Sequence, residues 1–134
     1  IHSSGHDFEL YEDINKFALK IKPHLNSSDK VFFIAQNSNG LERVMFYYAM
    51  LPYATSMSWC WSLGNKYFEG DVWTCDSDLA DMLNGFSYIA IYRADTQFWS
   101  KVGNLFDPKT IGDTRGLYKI NRTNNNISSI TKVN

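Results

Sequence analysis

Between residues 7 and 22 the apolar positions are Phe8, Tyr11, Ile14, Phe17, Ala18 and Ile21, with Leu25 next in the series. Steps of three and four residues put them on one face and predict an amphipathic helix. Glu9, Glu12 and Asp13 come early and Lys16, Lys20 and Lys22 late, as a helix dipole favours. Pro23 and the Asn26-Ser27-Ser28-Asp29 cluster end it. Val31-Phe32-Phe33-Ile34-Ala35 is then a short unbroken apolar run, as expected of a strand covered on both faces. The polar loop Gln36-Asn37-Ser38-Asn39-Gly40 leads to a second helix over 41–50, stopped ahead of Pro52. Val44, Met45, Phe46, Tyr47 and Tyr48 lie nearly all round that helix, which predicts substantial burial.

Strict alternation follows over 56–63: Met57, Trp59, Trp61 and Leu63 on one face, Ser56, Ser58, Cys60 and Ser62 on the other. Period two is the mark of a strand. Residues 64–75 form an excursion with Glu69-Gly70-Asp71 at a turn. Asp76 or Ser77 then caps a brief helix ending at Asn84-Gly85. Residues 87–92, Ser-Tyr-Ile-Ala-Ile-Tyr, predict a third strand of the buried type. Asp95 or Thr96 caps a helix whose inner face carries Phe98, Trp99, Val102, Leu105 and Phe106, closed by Asp107-Pro108. A fourth strand covers 117–121. Residues 1–6 are expected to be a disordered or vector-derived start, 7–123 one domain, and 124–134 a mobile polar tail.

A helix, three strand–helix units and a closing strand predict an α/β domain: a small Rossmann-like, largely parallel sheet in the order 2-1-3-4, flanked by helices. In that order the first and third strands are neighbours whose following helices leave on opposite faces. The crevice outside their carboxyl ends is where such sheets bind ligands. It is expected to be lined by Gln36, Asn37 and Asn39 on one side and Arg93 and Asp95 on the other, with Arg43 reaching in from one turn into the second helix.

Length and composition bound the function classes. The 134 residues suit a single domain, and 44% hydrophobic with 20% charged residues excludes a disordered or low-complexity chain. The formal net charge of −1 supplies no field for a phosphate backbone, so a nucleic-acid partner is not expected. The longest nearly unbroken apolar runs, 31–35 and 44–51, fall short of the ~20 residues a spanning helix needs. The chain begins at Ile1, which suggests a processed product or a piece of a longer protein; a parent with membrane spans fits as well as one without.

Chemical motifs are sparse. The loop after the first strand has one glycine where a dinucleotide fingerprint needs three, and no Lys-Ser/Thr pair, so no nucleotide cofactor is expected. The bland reading of its polar residues is a turn that caps a helix. His2, His6 and His24 lack partners at metal-ligand spacing, so no metal is expected either. No Gly-x-Ser-x-Gly elbow is present, and neither cysteine has a histidine near it in sequence. Cys60 and Cys75, the only cysteines, fit a disulfide in an oxidising compartment or two buried thiols. Aromatic residues make up 16%, and four tryptophans invite a sugar platform; Trp59, Trp61 and Trp99 sit on apolar faces, which points to core, and Trp73 is the candidate for exposure. Asn26, Asn121 and Asn126 each begin an Asn-x-Ser/Thr sequon.

Two blocks carry a resemblance. The first is Asp29-Lys30-Val31-Phe32-Phe33-Ile34, Gln36, Gly40 and Tyr48-Ala49-Met50-Leu51-Pro52. The second is Tyr88-Ile89-Ala90-Ile91-Tyr92, Asp95, Phe98, Leu105-Phe106 and Leu117-Tyr118-Lys119-Ile120. Together they resemble the extracytoplasmic soluble domain of bacterial polytopic GT-C type glycosyltransferases associated with cell-surface polysaccharides and teichoic acids. The resemblance spans roughly residues 8–121 and consists of hydrophobic patterns rather than a chemical signature. It implies a parent that moves a sugar from a polyprenyl-phosphate carrier to a glycan outside the membrane. No position here matches that family's catalytic acids. The implied role of this domain is therefore to hold the acceptor glycan beside the transmembrane portion of the same polypeptide, without catalysis of its own. Two rivals remain open: a secreted free-standing α/β module that binds sugar or protein, and a small α/β enzyme working in the crevice.

Overall fold

The computed structural model describes residues 4–35, 41–51, 56–61, 72–74, 83–94, 99, 103–106 and 115–133. Helix α1 spans Ser4–Ile21 and runs into a 3₁₀ turn, Lys22–His24, where Pro23 needs no amide partner. Ser4, Gly5 and His6, expected to precede the fold, are part of this helix. An Asx-type turn follows, in which the Asn26 amide donates to Asp29 Oδ2 at 2.8 Å and the Asp29 amide to the Asn26 carbonyl at 3.0 Å. Strand β1 is Lys30–Ala35 and helix α2 is Leu41–Met50, both as the hydrophobic pattern predicts.

Among the described residues, one sheet holds six strands: β1, β2 (Ser56–Trp61), β3 (Val72–Thr74), β4 (Tyr88–Arg93), β5 (Gly116–Thr123) and β6 (Asn126–Lys132). Their spatial order is β3-β2-β1-β4-β5-β6. The fold is α/β, and β2-β1-β4-β5 is the expected order of the four predicted strands. The expected parallel arrangement holds for β3, β2, β1 and β4, while β5 and β6 are antiparallel to their neighbours and make the sheet mixed. The reason is where the chain re-enters. Gly116 pairs with Ile91 near the carboxyl end of β4, so β5 can only run back down the sheet.

Two further strands extend the prediction. Val72–Thr74, expected inside an excursion, adds to the edge of β2 with Trp73 opposite Cys60. The expected mobile tail instead makes β6. Asn124 and Asn125 take φ of 52° and 69°, the left-handed pair a two-residue type I′ hairpin requires, and Ile130 lands opposite Ile120. Alternate residues of β6 face water, which is why its composition looks like a tail's.

The sheet is covered on both faces. Val31, Phe33, Ala90, Tyr92 and Leu117 face α1 and α2, where they meet Ile14, Phe17, Ala18, Ile21, Phe46 and Met50. The rings of Phe33 and Phe46 stack with centroids 4.2 Å apart and 10° between planes. The opposite face holds Phe32, Ile34, Ile89, Ile91, Tyr118, Ile120 and Ile130 with Leu83 and Phe106, and Trp99 packs against it. The segments after β1 and after β4 therefore cover opposite faces, as the crevice argument requires. Arg122 ties the turn before β4 to the sheet, donating to the carbonyls of Leu83 at 2.7 Å and Phe86 at 2.6 Å. Gly85, at φ +85°, supplies that turn's left-handed residue.

Burial of the helices is narrower than predicted. Phe8 and Tyr11 at the start of α1 are exposed, as are Val44, Tyr47 and Tyr48 on α2 and Leu51 just past its end. A helix resting on a sheet presents one stripe to it, and Phe46 and Met50 occupy that stripe.

Candidate functional site

The carboxyl ends of β1 and β4 lie side by side, Ala35 opposite Arg93, with the start of α2 above them. Arg93 is the predicted crevice residue that the structure defines in full. Its Nη1 donates to Glu42 Oε1 at 3.0 Å and its Nη2 lies 2.6 Å from Oε2, a two-pronged contact. Glu42 is buried, with 6% of its surface exposed, whereas the Arg93 side chain is 40% exposed. The pair bridges the crevice from the first turn of α2 to the end of β4. Arg43 occupies the next position of α2. Asn37, Asn39, Asp95 and Gln36 lie outside the described residues.

Trp73 is placed at the centre of β3, on a sheet edge distant in strand order from β4. Cys60 lies in β2, and Cys75, its proposed disulfide partner, lies outside the described residues. Trp73 thus belongs to the far edge, while Arg93 ends β4 beside β1 and Arg43 lies in the first turn of α2. His24 is exposed at the end of the 3₁₀ turn. Among the described residues, no three His, Cys, Asp or Glu side chains converge as a metal site needs.

A second polar group, unpredicted, adjoins the first. The Tyr92 hydroxyl donates to Asp13 Oδ2, Arg115 Nη1 donates to the same oxygen at 3.1 Å, and Arg115 Nε donates to the Tyr92 carbonyl at 3.0 Å. The Arg115 guanidinium carbon stands 4.2 Å from the Tyr92 ring centre, and that of Arg93 5.5 Å. One phenol thus has two cations near its ring. Burial, the hydrogen bond to Asp13 and the Asp13 charge push the Tyr92 hydroxyl up to about 12, with Glu42 adding to the rise and Arg115 opposing it. Tyr92 is consequently a neutral donor across the physiological range.

Glu42, Asp13, Tyr92 and Arg115 were missed by sequence reasoning for different reasons. Asp13 carries a visible signal: with Phe17 and Ile21 it forms an i, i+4, i+8 line, so a carboxylate continues the buried stripe of α1. Glu42 follows a polar loop and passes for a helix-start acid. Tyr92 passes for strand core, and Arg115 precedes its strand with no periodic context.

No family model, no curated protein and no solved structure matches this chain.

Proposed function

We propose that this chain is a ligand-holding α/β domain without catalysis of its own, serving a membrane-embedded glycosyltransferase that draws on a polyprenyl-phosphate sugar at the extracytoplasmic face of a bacterial membrane. The observation that carries the binding role is the commitment of the polar side chains at the carboxyl end of β4. Arg93 is held by Glu42, and Asp13 accepts from both Tyr92 and Arg115. Groups paired in this way make a rigid, charged rim. A general acid or base needs a proton it can exchange near neutral pH, and Tyr92, pushed up to about 12, is a poor one. The acceptor glycan and the membrane portion come from the resemblance of the two hydrophobic blocks to the GT-C type domain. No helix among the described residues is long and apolar enough to cross a membrane, so on this reading the spans belong to another part of the parent.

The test is the coding sequence on the 5′ side of Ile1, followed by production of the parent in membranes. Several stretches of ~20 apolar residues are expected there. Deleting this domain should then weaken acceptor use while leaving hydrolysis of the polyprenyl-phosphate donor in place. A start codon with one cleavable signal overturns the membrane-enzyme reading and leaves an exported binding module.

A further inference from the structure

Two lines of apolar side chains stand exposed on the helix layer. On α1, Phe8, Tyr11 and Leu19 follow one line with Asn15, spaced by three or four residues. Asp13 and Asn15, two positions apart, are turned about 200° from each other round the helix. Asp13 meets Arg115 beside β5, so the apolar line lies on the flank away from β5, toward α2. On α2, Val44, Tyr47 and Tyr48 share a face that Leu51 continues past the helix end. Val44 and Tyr48 each lie two positions from the buried Phe46 and so turn outward.

The two lines form one surface. Asp13 meets Tyr92 and Glu42 meets its neighbour Arg93, so α1 and α2, which pack against each other, are level at that height. Both helices then run toward the amino end of the sheet, where β1 and β2 begin side by side. Six residues on from Asp13 and Glu42 stand Leu19 and Tyr48, 65% and 66% exposed. Together the exposed apolar side chains of the two lines present on the order of 700 Å². That is above the largest patch of a typical monomer and close to the ~800 Å² each partner buries in a stable complex.

The patch suits its own copy. A two-fold pair brings residues near its axis against themselves, so a charge there would meet its like, and the sequence from Val44 to Leu51 carries none. A tyrosine hydroxyl both donates and accepts, and so can bond to its own copy. A lipid surface or a charged protein draws on cations or counter-charges, which the α2 line does not supply. We propose that two copies of this chain associate through the α1–α2 face in a two-fold pair, with Leu19 and Tyr48 at its centre. The inference stands apart from what the β1–β4 crevice binds.

Sedimentation equilibrium of the 134-residue chain should show monomer and dimer exchanging over about 1–100 µM, the weak end of what interfaces of this size give. Sodium sulfate should strengthen the dimer, since apolar burial drives it. L19E/Y48E, changed at exposed positions only, should weaken dimerisation about thirtyfold or more with its circular dichroism unchanged, and L19S/Y48S should weaken it less. A chain still monomeric at about 500 µM overturns the proposal. So does a dimer that both double variants leave intact, which would place the contact on another surface. Monomers that bind phosphatidylglycerol vesicles, and lose that binding in L19E/Y48E, overturn it as well and assign the face to lipid.

Discussion

Glu42 and Arg93, 51 residues apart in sequence, meet in a two-pronged ion pair that ties the first turn of α2 to the last residue of β4. The two partners are not equivalent. Glu42 is buried, whereas the Arg93 side chain is 40% exposed and can turn to water if its partner is removed. A carboxylate stranded in the interior has no such recourse.

That asymmetry sets the expected order of two variants. R93M leaves the buried Glu42 charge uncompensated and should destabilise the fold by roughly 1–3 kcal/mol, the half-open setting keeping it below the cost of breaking a fully buried pair. R93M/E42L removes both charges and should recover most of that loss. Urea unfolding of the two proteins measures the difference. An R93M protein as stable as wild type would mean that water already compensates Glu42.

Tyr92 supplies a pH dependence with a definite sign. Its pKa is raised from 10.0 in the unfolded chain to about 12 in the fold, so the protonated phenol is the form folding favours. The stabilisation is fully present below pH 10 and is lost as pH climbs toward 12. Thermal unfolding of Y92F should show a shallower decline over that window than wild type. Absorbance near 295 nm should register a late-titrating tyrosine that Y92F lacks.

Much of this architecture is legible in the chain, and what is not has specific causes. The unbroken apolar runs around Phe33 and Ala90 identify the central strands, because residues buried on both faces leave no polar alternation to misread. The strand order follows from handedness and chain connectivity. The direction of β5 does not, since it depends on the chain returning at the carboxyl end of β4, a tertiary fact registered only in the pairing of Gly116 with Ile91. The polar site was half legible. Arg93 is found from its place at a strand end, whereas Glu42 and Asp13 become site residues only when helices carry them across the sheet. The exposed apolar residues of α2 show the converse: Tyr48 looks like core by composition and is 66% exposed.

The stack of Phe33 on Phe46 joins β1 to α2, and it is the closest aromatic contact described. Phe46 is fully buried and also meets Phe17 of α1 at 5.8 Å between centroids. F46A should therefore cost about 3–5 kcal/mol, the range for deleting a buried ring whose neighbours cannot collapse inward. F46L, which keeps much of the volume, should cost less than half as much. Denaturant midpoints with an unchanged m-value are the readout. A loss under 1 kcal/mol would show that α2 contributes little to the packing of that face.

The hairpin offers the sharpest contrast between what composition suggests and what the fold contains. Residues 124–134 are polar enough to pass for a dispensable tail, and a dispensable tail can be cut without effect. Yet β6 pairs with β5 over six positions, and Ile130 is fully buried against the face that holds Tyr118 and Phe106. Phe106 also makes a parallel bridge to Ile130 on the outer side of β6, so the strand is held from both edges there. Ending the chain at Thr123 should uncover Tyr118 and Ile120, leave β5 as a long apolar-faced edge, and yield a protein that aggregates or unfolds at lower temperature. I130A should reproduce part of the loss, about 2–4 kcal/mol, with the hairpin still present. N125G tests the turn itself: Asn125 already adopts a positive φ, so glycine should be neutral or slightly stabilising, whereas N125V should cost about 1–2 kcal/mol. Thermal melts of the four proteins order these outcomes. A truncated chain melting with wild type would mean that β6 adds nothing to the core it covers.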